Sequence, residues 1–115
     1  MEKTNRRTAS ATMADPLAKA TVDTVAKVIA PDGTITDVEP VNGSDFKIGE
    51  LYTHTKSTIV QMIDMPDGRL MWMDEEGKLN GKEPNPVATK LVEKWLLPGD
   101  YIAGHALVCT KRMVR

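Results

Sequence analysis

Apolar and polar side chains alternate in several short stretches of this chain, and two pairs of these stretches are joined by the tripeptide Pro-Asp-Gly. The tripeptides occupy residues 31–33 and 66–68. Proline sets the backbone angle of a tight turn and glycine supplies its positive φ angle, so each tripeptide predicts a β-hairpin. We expect the strands of these hairpins to lie within residues 25–38 and 57–74.

Two other segments carry apolar residues at helical spacing. Residues 45–53 predict a helix in which Ser44 is the N-cap. Residues 86–96 predict a second helix, because Asn85 can cap its first turn and a proline suits its first position. The apolar stripe of the second helix includes Trp95, which we therefore expect to pack against the sheet.

The return arm of the second hairpin, residues 69–74, is apolar on both of its faces. Leu70 and Trp72 fall on one face, and Met71 and Met73 on the other. A strand of this kind is typical of the interior of a sheet that is covered twice. With a closing strand in residues 101–110, the element order is ββαββαβ. This order predicts an α+β domain with a mostly antiparallel sheet and two helices.

The predicted domain occupies residues 25–115, after a flexible N-terminal tail at residues 1–24. The tail is polar over residues 1–14, and a short helix with a thin apolar face could follow Asp15. Residues 78–81 could add a short strand after the acidic turn. A chain of 115 residues is long enough for one domain with its own core.

The charge balance excludes two classes of function. Fifteen basic and sixteen acidic residues leave a net charge of −1, whereas a duplex-binding domain has a basic excess and a DNA mimic a dense acidic surface. We expect no nucleic-acid partner. No apolar run reaches the roughly 18 residues that span a bilayer, and the first residues lack the apolar part of a secretory signal. A cytoplasmic protein without a membrane partner is the simplest interpretation.

Three segments, residues 74–79, 85–88 and 99–108, carry a resemblance to a known family. They read Asp-Glu-Glu-Gly-Lys-Leu, Asn-Pro-Val-Ala, and a Gly-Asp that leads into a closing hydrophobic strand. This pattern resembles the bacterial family called domain of unknown function 3846, and the resemblance extends over residues 25–110. The long polar N-terminus and the methionine-rich hairpin depart from the family pattern. The resemblance implies an accessory protein of a phage, plasmid or integrated element, and it implies no reaction and no catalytic residue.

Three possible reactive or ligand sites have weak support. His105 and Cys109 share a face of the closing strand, but that spacing separates them by about 13 Å, beyond the reach of proton transfer. The carboxylates of residues 74–76 suit a divalent cation, yet such clusters are common in solvated turns. Gly77, Gly81 and Asn85 precede a helix as in a phosphate loop, but neither established glycine motif is present. We therefore expect no catalytic residue, no metal and no cofactor.

Methionines form the most unusual feature of the sequence, at positions 62, 65, 71 and 73 around Trp72. Methionine-rich surfaces adapt to partners, although packing in the core is the favoured interpretation. The interface or ligand-binding candidates are Met71, Trp72, Met73, Arg69, Lys82 and Lys90.

Three functions remain open, and a non-enzymatic binding protein that acts on a host protein, as a counter-defence inhibitor would, is favoured. The alternative is an oligomeric protein that sequesters a nucleotide-type host signal between Lys82, Lys90, Arg69 and Trp72. A small hydrolase has the least support. The sequence leaves a homo-oligomer open.

Overall fold

The structure is a computed structural model in which residues 15–114 are described, and within them it has one five-stranded sheet and three α-helices. The strands are β1 (Ala26–Ile29), β2 (Ile35–Val38), β3 (Val60–Asp64), β4 (Arg69–Asp74) and β5 (Ala106–Thr110). The helices are α1 (Lys19–Val22), α2 (Ile48–Thr55) and α3 (Pro86–Val92), with short 3₁₀ turns at Glu93–Trp95 and Lys111–Met113. None of these helices is long and apolar enough to cross a membrane.

The sheet has the strand order β2-β1-β5-β4-β3, and every neighbouring pair is antiparallel. Both Pro-Asp-Gly turns connect hairpins, β1 to β2 and β3 to β4, and their glycines Gly33 and Gly68 have φ angles of 93° and 96°. The last strand, β5, lies between the two hairpins. The α+β class and the order ββαββαβ are confirmed.

Helices cover the sheet on both faces. Met71 and Met73 of β4 pack with α1 and α3 in one core cluster. Leu70 and Trp72 pack in the other cluster with Phe46 and Leu51, and Leu51 belongs to α2. The prediction that β4 is an interior strand covered twice is therefore confirmed.

Helix α2 starts three residues later than predicted, at Ile48 instead of Asp45. Ser44 does not cap it, because the N-cap position falls on Lys47. The backbone N–H groups of Ser44 and Asp45 both donate to the side-chain oxygen of Asn42. The Glu50 carboxylate instead accepts the N–H of Lys47, the N-cap residue, at 2.9 Å. The preceding loop thus closes on itself before the helix begins.

The prediction that Trp95 is buried is wrong, since 43% of this residue is exposed. Helix α3 ends at Val92 and the chain continues as the 3₁₀ turn Glu93–Trp95. A 3₁₀ turn advances about 120° per residue instead of 100°, so the apolar stripe leaves the core at this point. Val92 is the last fully buried residue of the stripe.

The core includes residues that precede residue 25, the predicted start of the domain. Leu17 and Val22 are buried in the core cluster beside α3. The Arg69 guanidinium donates to the Leu17 carbonyl at 2.6 Å, which fixes this segment to the start of β4. Residues 1–14, the rest of the predicted flexible tail, lie outside the described residues. Residues 78–81 form turns, so the strand suggested there is not present.

One buried amide joins helix α3 to the sheet. The Asn85 side chain accepts from the Ala88 N–H at 3.1 Å, which makes it the predicted N-cap. Its NH₂ group donates to the carbonyls of Ile29 and Gly104, each at 2.9 Å. Asn85 is fully buried, and these three backbone groups satisfy its side chain.

We expect Asn85→Ala to lower the free energy of unfolding by about 3 kcal/mol, because it removes a helix cap and the buried hydrogen bonds to two carbonyls. Asn80→Ala is the matched control. Asn80 is exposed and its amide lies 3.4 Å from Asp74, so its loss should cost less than about 1 kcal/mol. Urea melts of both variants test this, and equal midpoints would contradict it.

Candidate functional site

The Lys82 ammonium connects α2 to the end of β4. Its Nζ lies 2.7 Å from Asp74 Oδ2 and donates to the carbonyls of Thr55 and Lys56. These carbonyls belong to the last turn of α2, where a cation is favourable. Three acceptors use all three ammonium protons of Lys82.

Asp74 is the buried partner in this ion pair. Burial pushes the pKa of Asp74 upward, but hydrogen bonds from Lys82 and from the Glu76 N–H, with the charge of Lys82, bring the pKa below its usual 3.8. The Glu76 N–H donates to Asp74 Oδ1 at 2.8 Å. Asp74 is therefore an ionised structural group that closes the acidic turn.

A cleft of about 470 Å³ opens beside Lys82. It is formed by the first hairpin turn, the C-terminal end of α2 and the loop that precedes β5. Its lining residues are Ala30, Pro31, Asp32, Lys56, Gly81, Lys82, Glu83, Gly104 and His105. Within the cleft the Lys82 side chain lies directly against the backbone of Gly104 (φ 86°). A Cβ at that position would lie 2.8 Å from Lys82 Cδ, so the close approach requires glycine.

The charges around this cleft are nearly balanced. Burial, followed by the charges of Lys56 and Lys82, lowers the pKa of His105, while Asp32 opposes the shift. His105 is thus neutral at pH 7 and can donate or accept a hydrogen bond. With the Lys82 ammonium held by Asp74, the cleft suits a polar ligand of low net charge better than a polyphosphate.

The basic and aromatic residues predicted to converge on a nucleotide do not meet. Arg69 and Trp72 point to opposite faces of β4, because they are an odd number of residues apart. The Arg69 guanidinium is bound by Asp67 at 2.9 Å. Lys90 lies on α3 beside a separate apolar groove that includes Leu17 and Val87. Of the four residues, Lys82 is the one that lines the cleft.

Three of the four methionines at positions 62, 65, 71 and 73 are core residues. Met65, Met71 and Met73 are buried, so Met71 and Met73 offer no surface to a partner, although both were predicted as interface candidates. Trp72 is half-buried in the core cluster that includes Phe46 and Leu51. Met62, on the outermost strand β3, is 41% exposed.

The structure does not assemble the weaker candidate sites. Cys109 is buried, and burial raises the pKa of its thiol to about 11 although Trp72 opposes the shift, so it is a poor nucleophile. Among residues 15–114 no group of carboxylate, histidine or cysteine side chains could hold a metal ion. At the start of α3, the Asn85 side chain already accepts the Ala88 N–H that a phosphate would need.

An apolar surface that the sequence did not predict lies around the loop after α3. Trp95, Leu97 and Tyr101 are 43%, 77% and 37% exposed. Lys78 joins a second segment to this loop, because it pairs with Asp100 and lies 4.8 Å from the centre of the Tyr101 ring. The neighbouring Leu79 is 85% exposed. We call Leu79, Trp95, Leu97 and Tyr101 the Trp95 patch.

The sequence analysis missed the Trp95 patch because it did not predict that α3 ends at Val92. A continuous helix to residue 96 would have buried Trp95, and the Pro98-Gly99 turn alone does not tell which side of the loop faces solvent.

Comparison with protein-family models, curated proteins and solved structures found no match for this chain. The resemblance described above therefore rests on the quoted motifs alone.

We expect Lys82→Met to lower the free energy of unfolding by about 3 kcal/mol at pH 7, because it leaves Asp74 as a buried charge without its cation. The folded pKa of Asp74 lies below the value near 3.9 of an unfolded aspartate. The stability from this pair is therefore complete above about pH 4 and is lost as pH falls through the folded pKa. The difference in free energy of unfolding between wild type and Lys82→Met should therefore become smaller as the pH falls from about 4 to about 3.

Urea melts between pH 3 and pH 7 measure that gap. Lys56→Met is the matched control, since Lys56 is exposed and should change stability by less than about 1 kcal/mol. A gap that is constant across the range would contradict the role given to Asp74.

Proposed function

We propose that this protein is a non-enzymatic binding protein that docks on another protein through the Trp95 patch. The observation that carries the proposal is the exposure of four large apolar side chains on one loop and the segment attached to it. Tryptophan and tyrosine are enriched among the residues that dominate binding energy at interfaces. Charged side chains of Lys78, Lys94 and Asp100 border the patch, as the polar rim of an interface requires.

A protein target fits the chemistry of the chain better than a reaction does. The single cysteine is buried with a raised thiol pKa, and the neutral His105 lines the cleft, which does not include Cys109. A catalytic nucleophile and base need mutual hydrogen-bond reach. No cofactor is part of the proposal.

The resemblance to domain of unknown function 3846 supplies the proposed setting. An accessory protein of a phage or plasmid would act in the cytoplasm of the host cell, and its target would be a host protein such as a component of a defence system. Inhibition by occlusion requires a surface and no catalysis, which is consistent with the exposed apolar patch.

Sequestration of a nucleotide-type host signal is the second candidate, and the 470 Å³ cleft favours it. Pro31 and His105 offer flat surfaces for a base, while Asp32 and Glu83 could accept hydrogen bonds from it. The candidate ranks second because Lys82 is already satisfied by Asp74 and the α2 carbonyls. Lys56 is then the principal cation for a phosphate.

We expect Leu97→Lys to abolish capture of a bacterial protein by the immobilised chain, because it replaces an exposed apolar side chain of the Trp95 patch with a charge. Val41→Lys is the matched control: Val41 is 88% exposed and lies in the loop before α2. Both variants should melt within about 0.5 kcal/mol of wild type, since both sites are exposed. A partner retained equally by wild type and both variants would place the interface elsewhere.

Heat release distinguishes the two candidates. Denaturing the purified protein and analysing the supernatant by mass spectrometry should yield no nucleotide in near-stoichiometric amount if the protein-binding function is correct. A nucleotide released from wild type and absent from a His105→Ala preparation would instead establish the cleft as the functional site. Val41→Lys serves again as the preparation control.

A further inference from the structure

Strand β3 presents a backbone edge with which no other strand of residues 15–114 pairs. In its antiparallel pairing with β4, the Glu75 N–H donates to the Ile59 carbonyl and the Met65 N–H to the Arg69 carbonyl. Hydrogen-bonded positions alternate along an antiparallel strand, so residues 59, 61, 63 and 65 face β4. The N–H and C=O groups of Val60, Met62 and Asp64 therefore point outward, and no described strand pairs with them.

This edge lacks the devices that usually prevent strands of different molecules from pairing. Residues 57–64, Ser-Thr-Ile-Val-Gln-Met-Ile-Asp, contain no proline and no lysine, and their single charge is the terminal Asp64. The opposite edge, β2, is four residues long, carries Asp37 bonded to Lys27, and is followed closely by Pro40. The β2 edge is thus protected against pairing with a strand of another molecule, and the β3 edge is not.

The sequence of β3 is also complementary to itself in one antiparallel register. If Gln61 lies on a two-fold axis, each residue faces one of the same character in the second copy. The pairs are Gln61 with Gln61, Val60 with Met62, Ile59 with Ile63, and Thr58 with Asp64. Val60 of one copy and Met62 of the other, whose backbone groups point outward, then form a hydrogen-bonded pair. A shift of the axis to Met62 would set Val60 against Asp64 and Gln61 against Ile63.

We propose that two copies of this chain associate through β3, antiparallel and centred on Gln61, to form one continuous ten-stranded sheet. The association is independent of the docking function proposed above. Met62 and Ile59 are exposed in the single chain. In the dimer Met62 lies opposite Val60, and Ile59 lies opposite Ile63, of the second copy.

The dimer would also bring two binding surfaces together. Gln61 and Ile63 line a small cavity with Leu96 and Tyr101 on the face that carries α3. A two-fold axis through Gln61 perpendicular to the sheet keeps that face on the same side in both copies. The two Trp95 patches would then flank the axis on one surface of the assembly.

Cysteine cross-linking tests the register. In a non-hydrogen-bonded antiparallel pair the Cα atoms lie about 4.5 Å apart, within the range that a disulfide spans. Gln61→Cys should form a disulfide-linked dimer under mild oxidation. Asp64→Cys is the matched control, because its two copies would lie about 20 Å apart in this register. Cys109 is buried and should not contribute.

Light scattering on the unmodified chain gives a second measurement. We expect twice the chain mass of 12.6 kDa for wild type and the monomer mass for Met62→Lys, which adds a charge to an exposed edge position. Val41→Lys, exposed in another loop, should remain dimeric. A monomeric wild type, cross-linking of Asp64→Cys equal to that of Gln61→Cys, or cross-linking of Met62→Cys alone would each overturn the proposal.

Discussion

The buried side chain of Asn85 is the interaction on which the arrangement of this domain depends. It ends the irregular segment after β4, starts α3, and satisfies carbonyls from β1 and from the loop before β5. Its backbone N–H also donates to Ile102 at 2.7 Å, which aligns the two loops. An amide is required because one group must accept and donate at the same place, and neither aspartate nor a hydrophobic residue does both.

A second polar interaction, the Lys82–Asp74 pair, fixes α2 on the opposite face of the sheet. It also limits which ligands the cleft can bind. The lysine stem crosses Gly104 while its ammonium holds the last carbonyls of α2. Because the same charge cannot serve both a helix end and a ligand, the structural role of Lys82 removes the cation on which a phosphate site would depend. The docking function that we propose therefore uses the exposed apolar loop instead of the cleft.

Local chemistry made most of the fold predictable, and long-range contacts account for what was missed. The Pro-Asp-Gly turns, the Asn85 cap and the two-faced β4 each depend on neighbouring residues. A loop closed by the Asn42 side chain moves the start of α2 beyond Ser44, and a change from α-helix to 3₁₀ geometry exposes Trp95. Periodicity reveals neither. Lys82 was correctly chosen as a notable residue, but its partners Asp74 and Thr55 come from distant segments. The Trp95 patch depends on a Lys78–Asp100 contact that spacing does not show.

The position of β5 has a consequence for how the chain reaches its native state. This strand is the last in the sequence and the middle one in the sheet, so the hairpins β1–β2 and β3–β4 share no backbone hydrogen bonds without it. Each hairpin alone is a two-stranded ribbon, which is marginally stable in water. Most of the sheet therefore forms only when β5 inserts between β1 and β4. This step closes loops of about 80 and 30 residues, and the loss of chain entropy makes it slow. Until then β1 and β4 each expose an apolar edge, and chaperone binding would be most useful in that interval.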